Sequence, residues 1–309
     1  MQLKGKHVLT LGDFDTESIL NMLDVAKNLK SDMKTRRLQP FMQGRTLATI
    51  FEKPSLRTRI SFDVGFMAMG GNVINIRKEE INLGVREPIK DCARNISRYV
   101  DCIMIRTFAH SNIEEFAKYA TVPVINGLTD KYHPCQIMAD LLTVQEKYQQ
   151  LKGLKMTYIG DGNNVANSLL LGCSLVGMDI TVAAPGGYSP TKDVLDKAQS
   201  FASKMGSKIT VSQDPKEAVK GANVIYTDVW ASMGQEKEAE ERMKIFKNYQ
   251  VNIDVLKQAD PNCIVMHCLP AHRDQEITDE VFELHADTIF DQAENRMHAQ
   301  NAVMACVIG

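Results

Sequence analysis

The sequence predicts an α/β protein of two lobes, each a parallel sheet flanked by helices, with bridging helices joining the lobes. Three observations predict it. Short apolar runs occur at 46–51, 72–76, 102–105, 122–125, 155–159, 179–184, 208–212, 223–227 and 263–267. Longer helical patterns separate them, the arrangement of parallel βαβ units whose helices cover both faces of a sheet. A polar stretch, EKYQQLKG, then marks a break near 140–152, and two smaller sheets fit the runs better than one wide layer. Residues 1–140 are expected to form one domain and 141–290 a second, with 291–309 a C-terminal helix returning to the first.

Composition agrees with that reading. At 309 residues, 44% hydrophobic and 24% charged, the chain can bury two cores, and disordered or fibrous classes are excluded. Thirty-six basic residues against thirty-eight acidic ones leave no global field for nucleic acid or an anionic membrane. The start, MQLKGKHVLTLGDF, lacks the apolar core of a secretory signal, and no stretch reaches the length of a membrane span, so a cytoplasmic protein is expected. Seven cysteines without a CxxC pair suggest neither a disulfide framework nor a structural zinc site. Cys92, Cys102, Cys173, Cys263 and Cys306 sit among apolar neighbours and read as small buried hydrophobes, whereas Cys135 and Cys268 have unusual neighbours.

The first helix begins near residue 16, with Ile19, Leu23 and Ala26 on one face. TLATIFEKPSLRTRISF then reads as a strand, a short loop with Pro54, and a helix with Ile60, Val64 and Met67 on one face. Ser55 is a natural N-cap. The free amides of the helix start, its dipole, the cations Arg57 and Arg59 and the hydroxyl of Thr58 make a phosphate site. The competing explanation is a surface turn with solvated arginines. Arg106, closing the run CIMIR, argues against it, because arginine after a buried strand is costly unless an anion meets it.

HPCQ opens the next helix, with Pro134 at its first position and Ile137, Leu141, Val144 and Tyr148 at helical spacing; this helix is expected to bridge the lobes. His133 and Gln136 can face one ligand, a neutral imidazole donating and an amide offering both a donor and an acceptor, which suits a carbamoyl or amide group. A lone histidine at a helix start is more often a cap or core residue, and it is the four-residue string HPCQ that favours the ligand reading.

GDGNNV follows the strand KMTYI and resembles part of a dinucleotide fingerprint, but the third glycine is absent, and the strand after it ends in AAPGG without an acidic residue for a ribose. Asn164 is read instead as a polar contact at a strand end. Asp228 follows NVIYT, where it could hold a substrate ammonium or act as an ordinary cap, and Ser232, Met233 and Gly234 form a loop. The charges from Glu236 to Arg242 read as a solvated helix face. In CIVMHCLPAHR, Cys268 stands immediately after a buried strand, and ENRMHAQNAVMA is a final helix carrying Arg296, a possible third cation for the anion site.

FEKPSLRTR, HPCQ, DVWASMGQE and HCLP, in this order across essentially the whole chain, resemble the transcarbamylase family, and the SMG loop resembles its ornithine branch. The resemblance implies transfer of the carbamoyl group of carbamoyl phosphate to the δ-amine of L-ornithine, in arginine metabolism, with no metal or organic cofactor. It implies that Ser55, Leu56, Arg57 and Thr58 hold the phosphate, that Arg106, His133 and Gln136 complete the carbamoyl phosphate site, and that Arg296, Cys268 and Leu269 contribute to it. Asn164, Asp228, Ser232 and Met233 would bind ornithine. Arg106, His133, Asp228 and Cys268 would take part in catalysis. A homotrimer or a multiple of trimers is implied, with Asn82 of one subunit lent to its neighbour. Two positions depart from the commonest pattern: Leu56 stands where threonine is usual, and Asn82 where glutamine or histidine is usual. Rival readings are a transcarbamylase for putrescine or acetylornithine, which the SMG string opposes, a silent paralogue, and a nucleotide-dependent oxidoreductase.

Overall fold

Four parallel strands, β1 (Thr46–Phe51), β2 (Asn72–Arg77), β3 (Cys102–Arg106) and β4 (Val124–Leu128), pair in the order β2-β1-β3-β4. Five more, β5 (Lys155–Ile159), β6 (Asp179–Ala183), β7 (Ile209–Ser212), β8 (Val224–Thr227) and β9 (Ile264–His267), pair in the order β7-β6-β5-β8-β9. The computed structural model describes residues 3–231 and 238–309. Its contacts divide the chain into two units, residues up to Leu142 together with Glu294–Gly309, and Thr143–Ala293.

Every pairing in both sheets is parallel. This explains why the central runs read as apolar throughout rather than alternating, since both faces of the sheet are covered there; the edge strands β2 and β7, interrupted by polar residues, are partly exposed. In the first unit Ala48, Ile50, Ile103, Ile105 and Val124 pack with Ile89, Cys92, Ala93, Ile113 and Phe116 from the flanking helices. In the second, Ile159, Ile225 and Val265 pack with Phe246, Val251, Val281 and Ile289.

Both strand orders reverse direction once, between β1 and β3 in the first sheet and between β5 and β8 in the second. Ligands of open α/β sheets bind outside the carboxyl ends of strands at such a reversal. Register places the important ends level: Phe51 is paired with Arg106, Ile159 with Thr227, and Thr227 with His267.

Most elements fall where the periodicity puts them; three differences have physical reasons. The run expected at 122–125 is a strand at Val124–Leu128. Asn126 and Gly127 interrupt its apolar pattern, yet the Asn126 amide is held by the Val8 carbonyl at 2.8 Å, the amino-terminal segment bridging β4 at Val8. The final helix, expected over 291–309, begins earlier, at Ala286, and runs to Ile308, its first turns burying Ile289 in the core of the second unit. Helix Leu56–Ala68 buries Thr58, Ser61, Phe62, Gly65 and Phe66. The apolar stripe that periodicity picks out is its outer face: Leu56, Ile60, Val64 and Met67 are 72%, 52%, 45% and 53% exposed. Among the described residues no helix is long and apolar enough to cross a membrane.

Candidate functional site

In the first unit the loop after β1 turns directly into helix Leu56–Ala68, and Ser55 caps it with extended backbone, its Oγ accepting from the Thr58 amide at 3.4 Å. Such a cap is worth about 1 kcal/mol and fixes where the free amides of the first turn point. Leu56 holds the first helical position with its side chain exposed, so its contribution to an anion is its backbone amide. Thr58 is fully buried. Its Oγ1 accepts from Ser55 Oγ at 2.9 Å and from Arg296 Nη2 at 2.7 Å. A hydroxyl has two acceptor positions and one proton, so these contacts direct the Thr58 proton elsewhere.

Arg106 ends β3 beside this loop, and its carbonyl accepts from the Glu52 amide at 2.9 Å. It is buried, as are Arg296 and His133. His133 immediately precedes helix Pro134–Tyr148, and its carbonyl accepts from Gln136 N at 3.1 Å. Burial first, then the positive charges of Arg296 and Arg106, hold the imidazole well below the usual histidine range, so it stays neutral and can donate only one ring proton. Two buried guanidinium groups acting on one neutral imidazole favour an anionic or electron-rich ligand. Arg57 is half-buried in the same first turn. Arg59, by contrast, is exposed and 3.6 Å from Asp63, so the RTR string supplies one candidate cation and one helix-face ion pair.

Sequence reasoning missed Lys53. It is buried, pairs with Asp130 after β4, and lies 4.3 Å from the centre of the Phe108 ring. The contacts pin the loop leading to Ser55 to the ends of β3 and β4. Its position right after a buried strand is the same signal that singled out Arg106.

The second unit holds a different constellation at its strand reversal. Asp228, directly after β8, is buried and is not a helix cap. Its Oδ1 accepts from its neighbour Val229 N at 2.8 Å and from Cys268 Sγ at 3.0 Å, and its Oδ2 accepts from Asn163 Nδ2 at 2.8 Å. Asn163, not singled out from the sequence, is therefore the asparagine touching Asp228. It also caps helix Asn164–Val176, accepting from Val165 N and Ala166 N. Asn164 is the first residue of that helix. Asn-Asn after a strand was the available signal, since asparagine leads at N-caps. Gly162 in the same loop is required by space, because a Cβ there would stand 2.4 Å from Pro190 N. Ser232 and Met233 lie outside the described residues.

Cys268 is partly exposed, and the next residue, Leu269, has a left-handed backbone (φ 59). That unusual conformation is held by His267, whose Nδ1 accepts from Leu269 N at 2.9 Å while its Nε2 meets Glu276 Oε1 at 3.0 Å. Asp228, His267 and Cys268 bring three possible metal-ligand atoms within 4.8 Å of one another. The trio does not fit a metal, because both nitrogens of His267 are already engaged.

Two corrections concern charged and sulfur residues. Arg242, read as part of a solvated helix face, is buried and pairs with Asp161 at 2.7 Å and Glu238 at 3.1 Å, while its Nη1 also donates to Trp230 O at 3.0 Å. A charge run gives no sign that one of its members reaches inward. Cys306, expected to be buried, is partly exposed, while Cys135 is buried and burial pushes its thiol up to about 12. Asn82 closes helix Lys78–Ile81 in a left-handed conformation (φ 39), a role asparagine tolerates well.

Residues 6–146 match the family model described as the aspartate/ornithine carbamoyltransferase carbamoyl-P binding domain, and residues 152–307 match that of the Asp/Orn binding domain. The chain is 49% identical to the anabolic ornithine carbamoyltransferase of Pyrococcus furiosus over 100% of its length and 98% of the relative's. It is 50% identical to the ornithine carbamoyltransferase of a Synechococcus species, over 100% of this chain and 99% of that one. The solved ornithine carbamoyltransferase of Pyrococcus furiosus superposes with a TM-score of 0.96, at 49% identity, covering 99% of this chain and 98% of that chain. The anabolic ornithine carbamoyltransferase of Campylobacter jejuni superposes with a TM-score of 0.92, at 37% identity, covering 97% and 98%.

Proposed function

The chain belongs to the aspartate/ornithine carbamoyltransferase family and acts as a carbamoyltransferase on ornithine, and we propose that the two constellations above divide this work between carbamoyl phosphate and ornithine. The observation that carries the division is the pair of buried guanidinium groups, Arg106 and Arg296, acting on a neutral His133 beside a capped helix start. Phosphate needs that positive environment; the amino acid needs the carboxylate of Asp228. The catalytic residues are Arg106, His133, Asp228 and Cys268. Residues 1–140 form the carbamoyl phosphate-binding domain and 141–290 the ornithine-binding domain, with 291–309 belonging to the first. The grouping of Glu294–Gly309 with the first unit supports this arrangement.

In the reaction the neutral δ-amine adds to the carbamoyl carbon, negative charge collects on the carbonyl oxygen, and phosphate leaves. Arg106, His133 and Thr58 are donors for that oxygen; one well-aimed donor contributes about 3–4 kcal/mol in other enzymes. Arg57, Arg296, Ser55, Thr58 and the amide of Leu56 receive the phosphate, and Gln136 receives the carbamoyl amide, with Cys268 and Leu269 also contributing. Asp228 and Asn164, with Ser232 and Met233, orient ornithine. No cofactor is required, since each step moves only a proton and an acyl group. The biosynthetic direction is supported by the relatives named anabolic. The free state of the cysteines supports a cytoplasmic setting.

The exposed stripe Leu56, Ile60, Val64 and Met67 supports assembly into a homotrimer or a multiple of trimers, in which Asn82 is lent to an adjacent subunit.

The test is a colorimetric assay for ureido products with carbamoyl phosphate and a panel of ornithine, putrescine, acetylornithine and aspartate. Citrulline from ornithine alone is expected. Product only from another amine would overturn the acceptor assignment, and no product from any would overturn the enzymatic reading.

A further inference from the structure

On helix Pro134–Tyr148, Gln136 Nε2 donates to Asp140 Oδ1 at 2.9 Å, one turn further along. The pair is deeply buried, 1% and 0% exposed. A carboxylate can only accept hydrogen bonds, while an amide has one donor end and one acceptor end. The contact therefore dictates which way the Gln136 amide is turned: its NH2 faces Asp140 and its carbonyl faces away. Gln136 Oε1 is buried and has no hydrogen-bond partner among the described residues. Residues three apart share a helix face, so the side chain of Gln136 stands on the face that carries His133, the residue under the influence of Arg296 and Arg106.

A buried acceptor beside an anion site recognises an N–H group. A carbamoyl phosphate carries an NH2 where acetyl phosphate carries a methyl, and the two otherwise share shape and charge. We propose that Asp140 is a positioning residue that sets acyl specificity: by fixing the orientation of the Gln136 amide it presents Oε1 as the acceptor for the carbamoyl NH2 and leaves that oxygen unsatisfied against a methyl group. The inference rests on reading the first unit as the carbamoyl phosphate site.

The test is calorimetric binding of carbamoyl phosphate, acetyl phosphate and inorganic phosphate to the full-length wild type, D140N, Q136L and the double variant. Asparagine at 140 can either donate or accept, so Gln136 is no longer held in one orientation. D140N is expected to lower the preference for carbamoyl over acetyl phosphate about 10-fold, the scale of one buried hydrogen bond, and Q136L to lower it similarly. The double variant is expected to match Q136L, because the effect of Asp140 on acyl preference is exerted through the Gln136 amide. Affinity for inorganic phosphate is expected to stay constant throughout. A wild-type preference in D140N, or the same further loss when D140N is added to Q136L, overturns the proposal. Should D140N fail to fold, Q136L alone decides, since an undiminished preference there means Gln136 is not the acceptor. A wild-type protein that binds neither carbamoyl phosphate nor phosphate overturns the site reading itself.

Discussion

The guanidinium Nη2 of Arg296 lies 2.7 Å from Thr58 Oγ1, although the residues are 238 positions apart in sequence. The helix that ends the chain thus completes a constellation begun by the loop after β1. Arg296→Gln removes the charge and keeps a possible donor. A hydrogen bond to a charged group is worth about 1.5–3 kcal/mol, so carbamoyl phosphate affinity should fall about 10- to 150-fold. Titration calorimetry measures it, and unchanged affinity would remove Arg296 from the site.

Arg57 gives a cleaner separation of binding from folding. It is half-buried in the first turn of its helix. Arg57→Gly should leave circular dichroism at the wild-type value and shift thermal stability little, as substitutions near a surface do. Carbamoyl phosphate binding should be lost on the calorimeter. Retained binding would show that Arg57 is merely solvated.

The pH dependence of stability follows from His133. Its folded pKa is lowered by burial and by Arg296 and Arg106, so the unfolded chain takes up a proton at a pH where the folded chain does not. Between the ordinary histidine value and the lowered one the unfolded state binds more protons, and stability falls as pH drops through this window. His7, His285 and His298 are lowered in the same direction by burial. Urea denaturation from pH 7.5 to pH 5 should show a falling midpoint, and His133→Gln should flatten the slope. An identical slope in the variant would contradict the assignment of a neutral His133.

The framework of the fold could be read from the sequence because parallel strands buried on both faces leave continuous apolar runs. The candidate site was legible where a polar residue closes or follows such a run, as with Arg106, Asp228 and Cys268 at the ends of β3, β8 and β9. It was not readable where a residue acts by reaching across the fold. Arg242 looked solvated because its neighbours Glu240 and Glu241 are charged, and only the packing shows that it pairs with Asp161 on another strand end. Asn163 and Asn164 are chemically identical in sequence. Helix capping, a matter of backbone angles, decides that the first of them meets Asp228.

Arg242 ties the loop after β5, through Asp161, to the loop after β8, through the Trp230 carbonyl. Burial raises the Asp161 carboxyl, and the pairing with Arg242 opposes that rise. Arg242→Ala leaves a buried carboxylate without its cation, which costs about 3–5 kcal/mol. The urea midpoint should drop accordingly. Ornithine affinity should weaken while phosphate affinity is kept, because both loops belong to the second unit. Lysine at 242 should restore little, since a single ammonium does not reproduce the fork that reaches Asp161, Glu238 and Trp230 together. Full rescue by lysine would reduce the contact to a simple charge effect.

The outer face of helix Leu56–Ala68 tests the assembly. Leu56, Ile60, Val64 and Met67 recur at helical spacing yet remain 72%, 52%, 45% and 53% exposed. Burying an exposed aliphatic side chain of this size contributes about 1.5–3 kcal/mol, so a copy of the chain covering the stripe would gain from each residue. Placing a carboxylate at the centre, Ile60→Glu, makes covering it costly because the charge must lose its water. The substitution should leave the monomer's fold intact, since the side chain at position 60 is 52% exposed and lies outside the buried face of its helix. Light scattering coupled to gel filtration should report a trimeric mass, or a multiple of it, for wild type and a monomer for Ile60→Glu. If subunits lend residues to one another, ureido product formation should fall with the loss of assembly and recover as concentration is raised. A monomeric wild type would refute the assembly, and a trimeric Ile60→Glu would move the interface elsewhere.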